Sequence, residues 1–308
     1  MISPGQGTPV RAGDVSIPGL LAAGRRSISF EFFPPKTERG EATLWRAIRE
    51  LERLAPHFVS VTYGAGGTTR ERTVAVTGRI AADTTMTPVA HLTCVGSTVE
   101  DLHGVIAEYV DAGVHTVLAL RGDPPGGPSQ PWTSTDGGLD HAVELVELLR
   151  RRGRFDIGVA AFPQGHPEST SLQADAEVLA AKQRAGASFA ITQFFFRADD
   201  YFRSVDIARD HGATLPIIPG IMPVTNVNQI KRFAALSGAD FPADLAERFG
   251  AVADDEQRVG ELGVEIATAL AEELLAGGAP GLHFYTLNRS AATRQIYRNL
   301  QSHSPHLR

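Results

Sequence analysis

Eight short apolar or β-branched runs recur along the chain, alternating with stretches of amphipathic helical character. The runs are SISFEFF (27–33), FVSVTY (58–63), TPVAHLT (87–93), HTVLALR (115–121), DIGVAAF (156–162), FAITQFF (189–195), LPIIPGI (215–221) and GLHFYTL (281–287). Helix candidates between them include 41–54, 98–112, 138–152, 170–186 and 255–276. Such alternation favours a parallel sheet with helical crossovers. Eight repeats of the unit predict an α/β fold closed into a (β/α)8 TIM barrel rather than an open sheet. The long interval 222–280 predicts extra helices between the last two strands.

At 308 residues the length alone suggests two domains, but α/β barrels reach this size as one. A single catalytic domain is therefore expected over 25–302. Residues 1–24, rich in Gly and Pro, read as a disordered lead-in, and 303–308 as a tail. The net charge of -6 comes without a basic block, which argues against nucleic acid or an anionic membrane as partner. No apolar run approaches membrane-spanning length. One cysteine, Cys94, leaves no internal disulfide and fits a reducing cytoplasm.

Polar groups gather where the runs end. Glu31 sits inside SFEFFPPK; Thr62 and Tyr63 end the second run, His91 and Thr93 the third, and Arg121-Gly122-Asp123 the fourth. Phe162 and His166 follow the fifth, Gln193 lies in the sixth, and Asn288-Arg289 follow the eighth. In a barrel these ends share one face, the face that carries active sites. Glu31 stands out because an unpaired buried charge is expensive. It is paired, protonated or used.

Individual motifs say less. YGAGGTTRERT (63–73) suits either a phosphate-binding turn or a tight βα turn, and it lacks the third glycine of a dinucleotide fingerprint. LRGDPPGG joins Arg121 and Asp123 across one glycine before stiffening prolines; its bland reading is an exposed ion pair. Asp175 and Lys182 lie two helical turns apart on one face, where solvated charge is the default. With only three lysines in the chain, Lys182 is also a candidate for phosphate. Gln193 either satisfies neighbouring backbone or reads a heterocycle. Metal-ligand spacing is absent.

Taken in order, SFEFFPPK, FVSVTYGAGG, HLTC, ALRGDPP, HPE, ITQFFF, IIPGIMPV and HFYTLNR resemble the bacterial-type methylenetetrahydrofolate reductase family from about Ser27 to Leu300. The resemblance implies a (β/α)8 barrel with FAD at the C-terminal strand ends. It implies reduction of 5,10-methylenetetrahydrofolate to 5-methyltetrahydrofolate by NADH or NADPH in ping-pong order, supplying methyl groups for methionine synthesis. A cytoplasmic homo-oligomer, dimer or tetramer, is expected. No large C-terminal regulatory domain follows, so inhibition by S-adenosylmethionine is not expected. Two other classes, a proline dehydrogenase-like flavin barrel and a non-enzymatic folate- or flavin-binding protein, are opposed by the ordered blocks.

The same resemblance implies residue roles. Glu31 matches the general acid, and Asp123 a residue that faces both flavin and substrate. Thr62, Tyr63, Ala65, His91, Arg121, Gly122, Ala142, Phe162, His166, Asp175 and Lys182 match flavin-side positions. Gln193, Gln229, Phe233, Tyr285 and Arg289 match substrate-side positions. Val178 and Ala181 stand where some relatives carry Asn and Arg, and Phe162 where some carry Tyr, which removes polar contacts to the cofactor. For Glu31 a physical expectation follows: Phe30, Phe32 and Phe33 should desolvate the carboxyl and keep it protonated until used.

Overall fold

The computed structural model describes residues 16–63, 67–124, 127, 130–153, 155–228 and 241–303. Eight parallel strands close into a barrel in simple sequence order. They are β1 (Ser27–Phe32), β2 (Phe58–Val61), β3 (Thr87–Thr93), β4 (Thr116–Leu120), β5 (Asp156–Ala161), β6 (Phe189–Phe194), β7 (Ile217–Ile221) and β8 (Gly281–Tyr285). Each lies within its expected run, and most stop one or two residues earlier. Of the polar residues at the ends, Thr62, Tyr63, Arg121 and Arg289 lie beyond the strands, whereas Glu31, His91, Thr93 and Gln193 remain within β1, β3 and β6.

The described helices are α1 (Ile17–Ala22), α2 (Glu38–Glu52), α3 (Gly67–Asp83), α4 (Val99–Asp111), α5 (Ala142–Arg152), α6 (Leu172–Ala185), α7 (Ala198–Asp210), α8 (Ala243–Gly250), α9 (Glu256–Ala276) and α10 (Ala291–His303). Their starts follow from capping chemistry. Thr37 and Ser171 accept the backbone N–H three residues on, and Thr98 forms a reciprocal capping box with Asp101. The expected helices between the last two strands are α8 and α9.

The strands are buried on both faces, as a parallel sheet under helices requires. Outward residues such as Phe30, Phe32, Val59, Val61, Leu92 and Val117 join the helices in one annular core. Inward residues Phe58, Val89, Leu118, Phe189, Ile191 and Ile218 fill the lower lumen. Of the expected disordered lead-in, the described residues 16–24 include an ordered helix. Ile17, Leu20 and Leu21 of α1 are buried against that lumen cluster, and the Ile17 N–H donates to Asp156 at 3.1 Å. Burial of three aliphatic side chains offsets the entropy of ordering one short helix. No helix among the described residues is long and apolar enough to cross a membrane.

Candidate active site

Alternation along β1 decides where Glu31 points. Phe30 and Phe32 face the outer core, while Ser29 and Glu31 face the lumen. Phe33, beyond the strand, is 36% exposed. The expected phenylalanine pocket is therefore not what surrounds the carboxyl: a one-residue step in a strand sends neighbours to opposite faces. Glu31 instead lies 5% exposed among polar groups from three other strands. Its Oε2 accepts from Ser60 Oγ at 3.3 Å, and it lies 3.4 Å from His91 Nε2 and 3.5 Å from His283 Nε2. All three contacts fall on Oε2.

The surrounding groups are themselves held. His283 is fully buried, stacks on Phe58 with centroids 6.0 Å apart, and places Nδ1 2.8 Å from Ser29 Oγ. Burial holds the His91 imidazole below its usual pKa; His283 pushes the same way and Glu31 opposes. His91 Nε2 and Thr93 Oγ1 are buried without a hydrogen-bond partner among the described residues. Tyr285 donates its hydroxyl to Thr192 O at 2.7 Å. Burial, then the Glu31 charge, raises its phenol well above the ordinary range, so it stays a donor. Its ring fits because Gly220 carries no Cβ: one there would lie 2.6 Å from Tyr285 Cε2.

A second group of charges lines the rim over β4 and β5. Gly122 has φ +84°, and a Cβ on it would lie 2.5 Å from Val95 Cγ1, so only glycine makes this turn. Arg121, just before it, pairs with Glu168 Oε2 at 2.5 Å and sits 4.6 Å from the centroid of the Trp132 ring. The His166 ring packs edge-on against Phe162, and its backbone N–H donates to Asp175 Oδ2 at 2.7 Å. Burial and Arg121 keep the His166 imidazole below its usual pKa.

Lys182 is the unexpected member. Far from being solvated, it is 9% exposed, with Nζ donating to Ala160 O at 3.2 Å. Burial pulls its pKa down to about 8, against the raising influence of Asp175. The unfolded lysine titrates near ~10.4. The amine's charge therefore costs the fold stability below pH ~8, and that cost fades as pH rises toward ~10.4. Lys182→Met is expected to stabilise the ligand-free protein by on the order of 3 kcal/mol at pH 7. The gap to the parent should shrink as pH rises from about 8 to 10, in urea melts run at each pH. A gap that stays constant or widens over that range rejects the assignment.

Comparison with known proteins then decides the family. A family model described as methylenetetrahydrofolate reductase matches residues 17–301. The chain is 41% identical over 277 residues to 5,10-methylenetetrahydrofolate reductase of Escherichia coli (strain K12), covering 90% of this chain and 91% of that protein. The chain belongs to the methylenetetrahydrofolate reductase family. The Salmonella typhimurium enzyme is 40% identical over the same shares of each chain. Among solved structures, an uncharacterized protein from Clostridium thermocellum that binds two copies of 5-methyl-5,6,7,8-tetrahydrofolic acid shares the fold. It matches with TM-score 0.59 at 13% identity, over 92% of this chain and 98% of that one.

As a member of this family the chain is an oxidoreductase of folate one-carbon chemistry. Its expected site residues fall into three groups. Glu31, His91 and Tyr285 meet in the lumen mouth, with Gln193 half-buried in β6. Gln193 Oε1 accepts the N–H of Phe194 beside a register shift between β6 and β7. Arg121, Gly122, Phe162, His166, Asp175 and Lys182 form the rim, and Ala142 is buried at the start of α5. Thr62 and Tyr63 are half-buried just past β2, whereas Asp123 and Arg289 are exposed. Asp123 is not joined to the Glu31 cluster by any hydrogen bond or ion pair among the described residues. Ala65, Gln229 and Phe233 lie outside the described residues. Reading the sequence missed Ser29, Ser60 and His283. Their signal was present as polar residues at every second place in otherwise apolar strands.

Proposed function

We propose that this chain reduces 5,10-methylenetetrahydrofolate to 5-methyltetrahydrofolate, with NADH or NADPH as reductant and FAD as the resident cofactor. The observation that carries the reading is Glu31, a carboxyl held in the barrel mouth of a chain of this family. The substrate's imidazolidine ring must open before it can accept hydride. Opening puts a proton on N10 and leaves a methylene iminium at N5. Glu31 is placed to supply that proton, held by Ser60 on one oxygen. Burial lowers the His91 pKa and so disfavours an imidazolium beside the carboxyl. Tyr285, locked protonated, walls the site toward β6. The exposed carboxylate of Asp123 favours cationic character at the rim.

The residues present fit an FAD. Lys182 and Arg121 offer positive charge to a diphosphate, and the buried Thr93 Oγ1, without a hydrogen-bond partner among the described residues, is a group for a polar atom to meet. Thr62, Tyr63 and Gly122 complete the flavin side. When bound, the flavin relays hydride between nicotinamide and folate. Gln193 serves whichever of these two occupies the mouth, so initial-rate plots should give parallel lines. Lys182→Met, while stabilising the empty protein, should weaken FAD retention. The deciding experiment is the absorbance spectrum of purified protein. A flavin spectrum bleached by anaerobic NADH and restored by methylenetetrahydrofolate is expected. A bleached flavin that methylenetetrahydrofolate does not restore overturns the proposal.

A further inference from the structure

The end of β1 is held on the β2 side by the ladder, through Phe32 opposite Val61 and the Thr62 N–H donating to Phe32 O at 2.9 Å, but is held differently on the β8 side. Beyond Phe33 come Pro34 and Pro35, which have no N–H to extend a ladder. On the β8 side the last paired position is Glu31 opposite Tyr285. Past it, side chains supplement a single longer backbone bond. Thr286 Oγ1 donates to Glu31 O at 2.6 Å, and the Thr286 N–H donates to the same oxygen at 3.3 Å. Asn288 then takes both backbone groups of Phe33: its Oδ1 accepts from the N–H and its Nδ2 donates to the carbonyl, each at 2.8 Å. Asn288's own N–H returns to Thr286 Oγ1 at 3.2 Å, tying the two halves together.

The backbone that makes this possible is uncommon. Leu287 and Asn288 are consecutive non-glycine residues in the left-handed region, with φ 50° and 58°. Asn tolerates that region, but a leucine there is sterically costly. Such conformations persist where their surroundings over-determine them, and they cluster at functional sites. Here the left-handed turn carries the Asn288 amide back across β1.

We infer that residues 286–288 are a positioning clamp for Glu31, acting through the backbone of β1. The inference rests on reading Glu31 as the general acid. The clamp grips the carbonyl of residue 31 and both polar groups of residue 33. The Phe32 ring between them is buried in the outer core. The Glu31 Cα is thereby fixed between β2, β8 and the clamp, which sets the starting point of a side chain whose carboxyl is held at its far end by Ser60. Asn288 touches the reacting groups nowhere in this scheme; it sets where the carboxyl stands.

Asn288→Gly tests this, because glycine keeps the left-handed backbone and loses only the side-chain bonds. A displacement on the order of 1 Å costs about 10²-fold, so kcat with methylenetetrahydrofolate is expected to fall about 10–10²-fold. KM for folate should hold, and so should NADH consumption with menadione as acceptor, which needs no proton at N10. In the Glu31→Gln background Asn288→Gly should cost nothing further. Thr286→Val, which keeps shape and loses one donor, carries the same pattern if the glycine variant does not fold. Parental kcat in Asn288→Gly beside an impaired Glu31→Gln sinks the clamp alone. So does equal loss of folate and menadione turnover, or an additive loss in the double variant. Parental folate turnover in Glu31→Gln sinks the reading of the acid itself.

Discussion

Glu31→Gln should lose folate reduction by about 10²–10⁴-fold while continuing to consume NADH with menadione at the parent's rate. The substitution keeps the shape of the side chain and a carbonyl oxygen for Ser60, which donates to Oε2 at 3.3 Å. It removes the carboxyl assigned to deliver a proton to N10. Of the neighbouring groups, burial raises the Tyr285 phenol well above its ordinary range and lowers the His91 imidazole below its own. The two turnovers separate the chemical role from a structural one. If both fall together, the carboxyl is holding Ser60, His91 and His283 in place, and the acid assignment is wrong. If neither falls, the proton comes from elsewhere.

Gly263→Ala should be the most damaging small substitution in the outer wall. Gly263 is buried in α9 against the segment that leaves β7, and a Cβ on it would overlap the Val224 carbonyl. Two effects compete. Alanine is the better helix former by about 1 kcal/mol. Overpacking costs about 1–3 kcal/mol and occasionally more, and here the obstructing atom is backbone, which cannot swing aside. The clash should win, with a net loss of about 2 kcal/mol or more and Tm lower by about 3 °C or more. Gly260→Ala is the internal control: it is on the same helix, with nothing within 4 Å of the added carbon. It should gain about 1 kcal/mol from propensity alone. If Gly263→Ala also stabilises the protein, α9 does not approach Val224 as closely as described.

The barrel was legible because its cause is local and repeated. Strands in a parallel sheet covered by helices are buried on both faces, so each appears as a continuous apolar run such as TPVAHLT. Capping residues such as Thr98 and Ser171 announce the helices that follow. The polar strand ends were legible for a related reason: each had to be tolerated at the edge of a core. Glu31, His91 and Gln193 could therefore be picked out one at a time.

Which groups would meet was another matter. The phenylalanines around Glu31 in the chain are not its neighbours in space, because a strand turns alternate residues outward. Its actual neighbours, Ser60, His91 and His283, stand 29, 60 and 252 positions away and were brought together only by closure of the barrel. Closure also buried Lys182, whose helical spacing from Asp175 fits a solvated face equally well. α1 shows the same limit from the other side: the order in Ile17, Leu20 and Leu21 comes from the lumen they cover, not from their own six-residue helix. Sequence alone determined the alternation, the strand count and the polar ends, since propensity and burial act within a few residues. Tertiary structure decided the partners of Glu31, the depth of Lys182 and the clamp at Asn288, since those depend on which distant strands become adjacent.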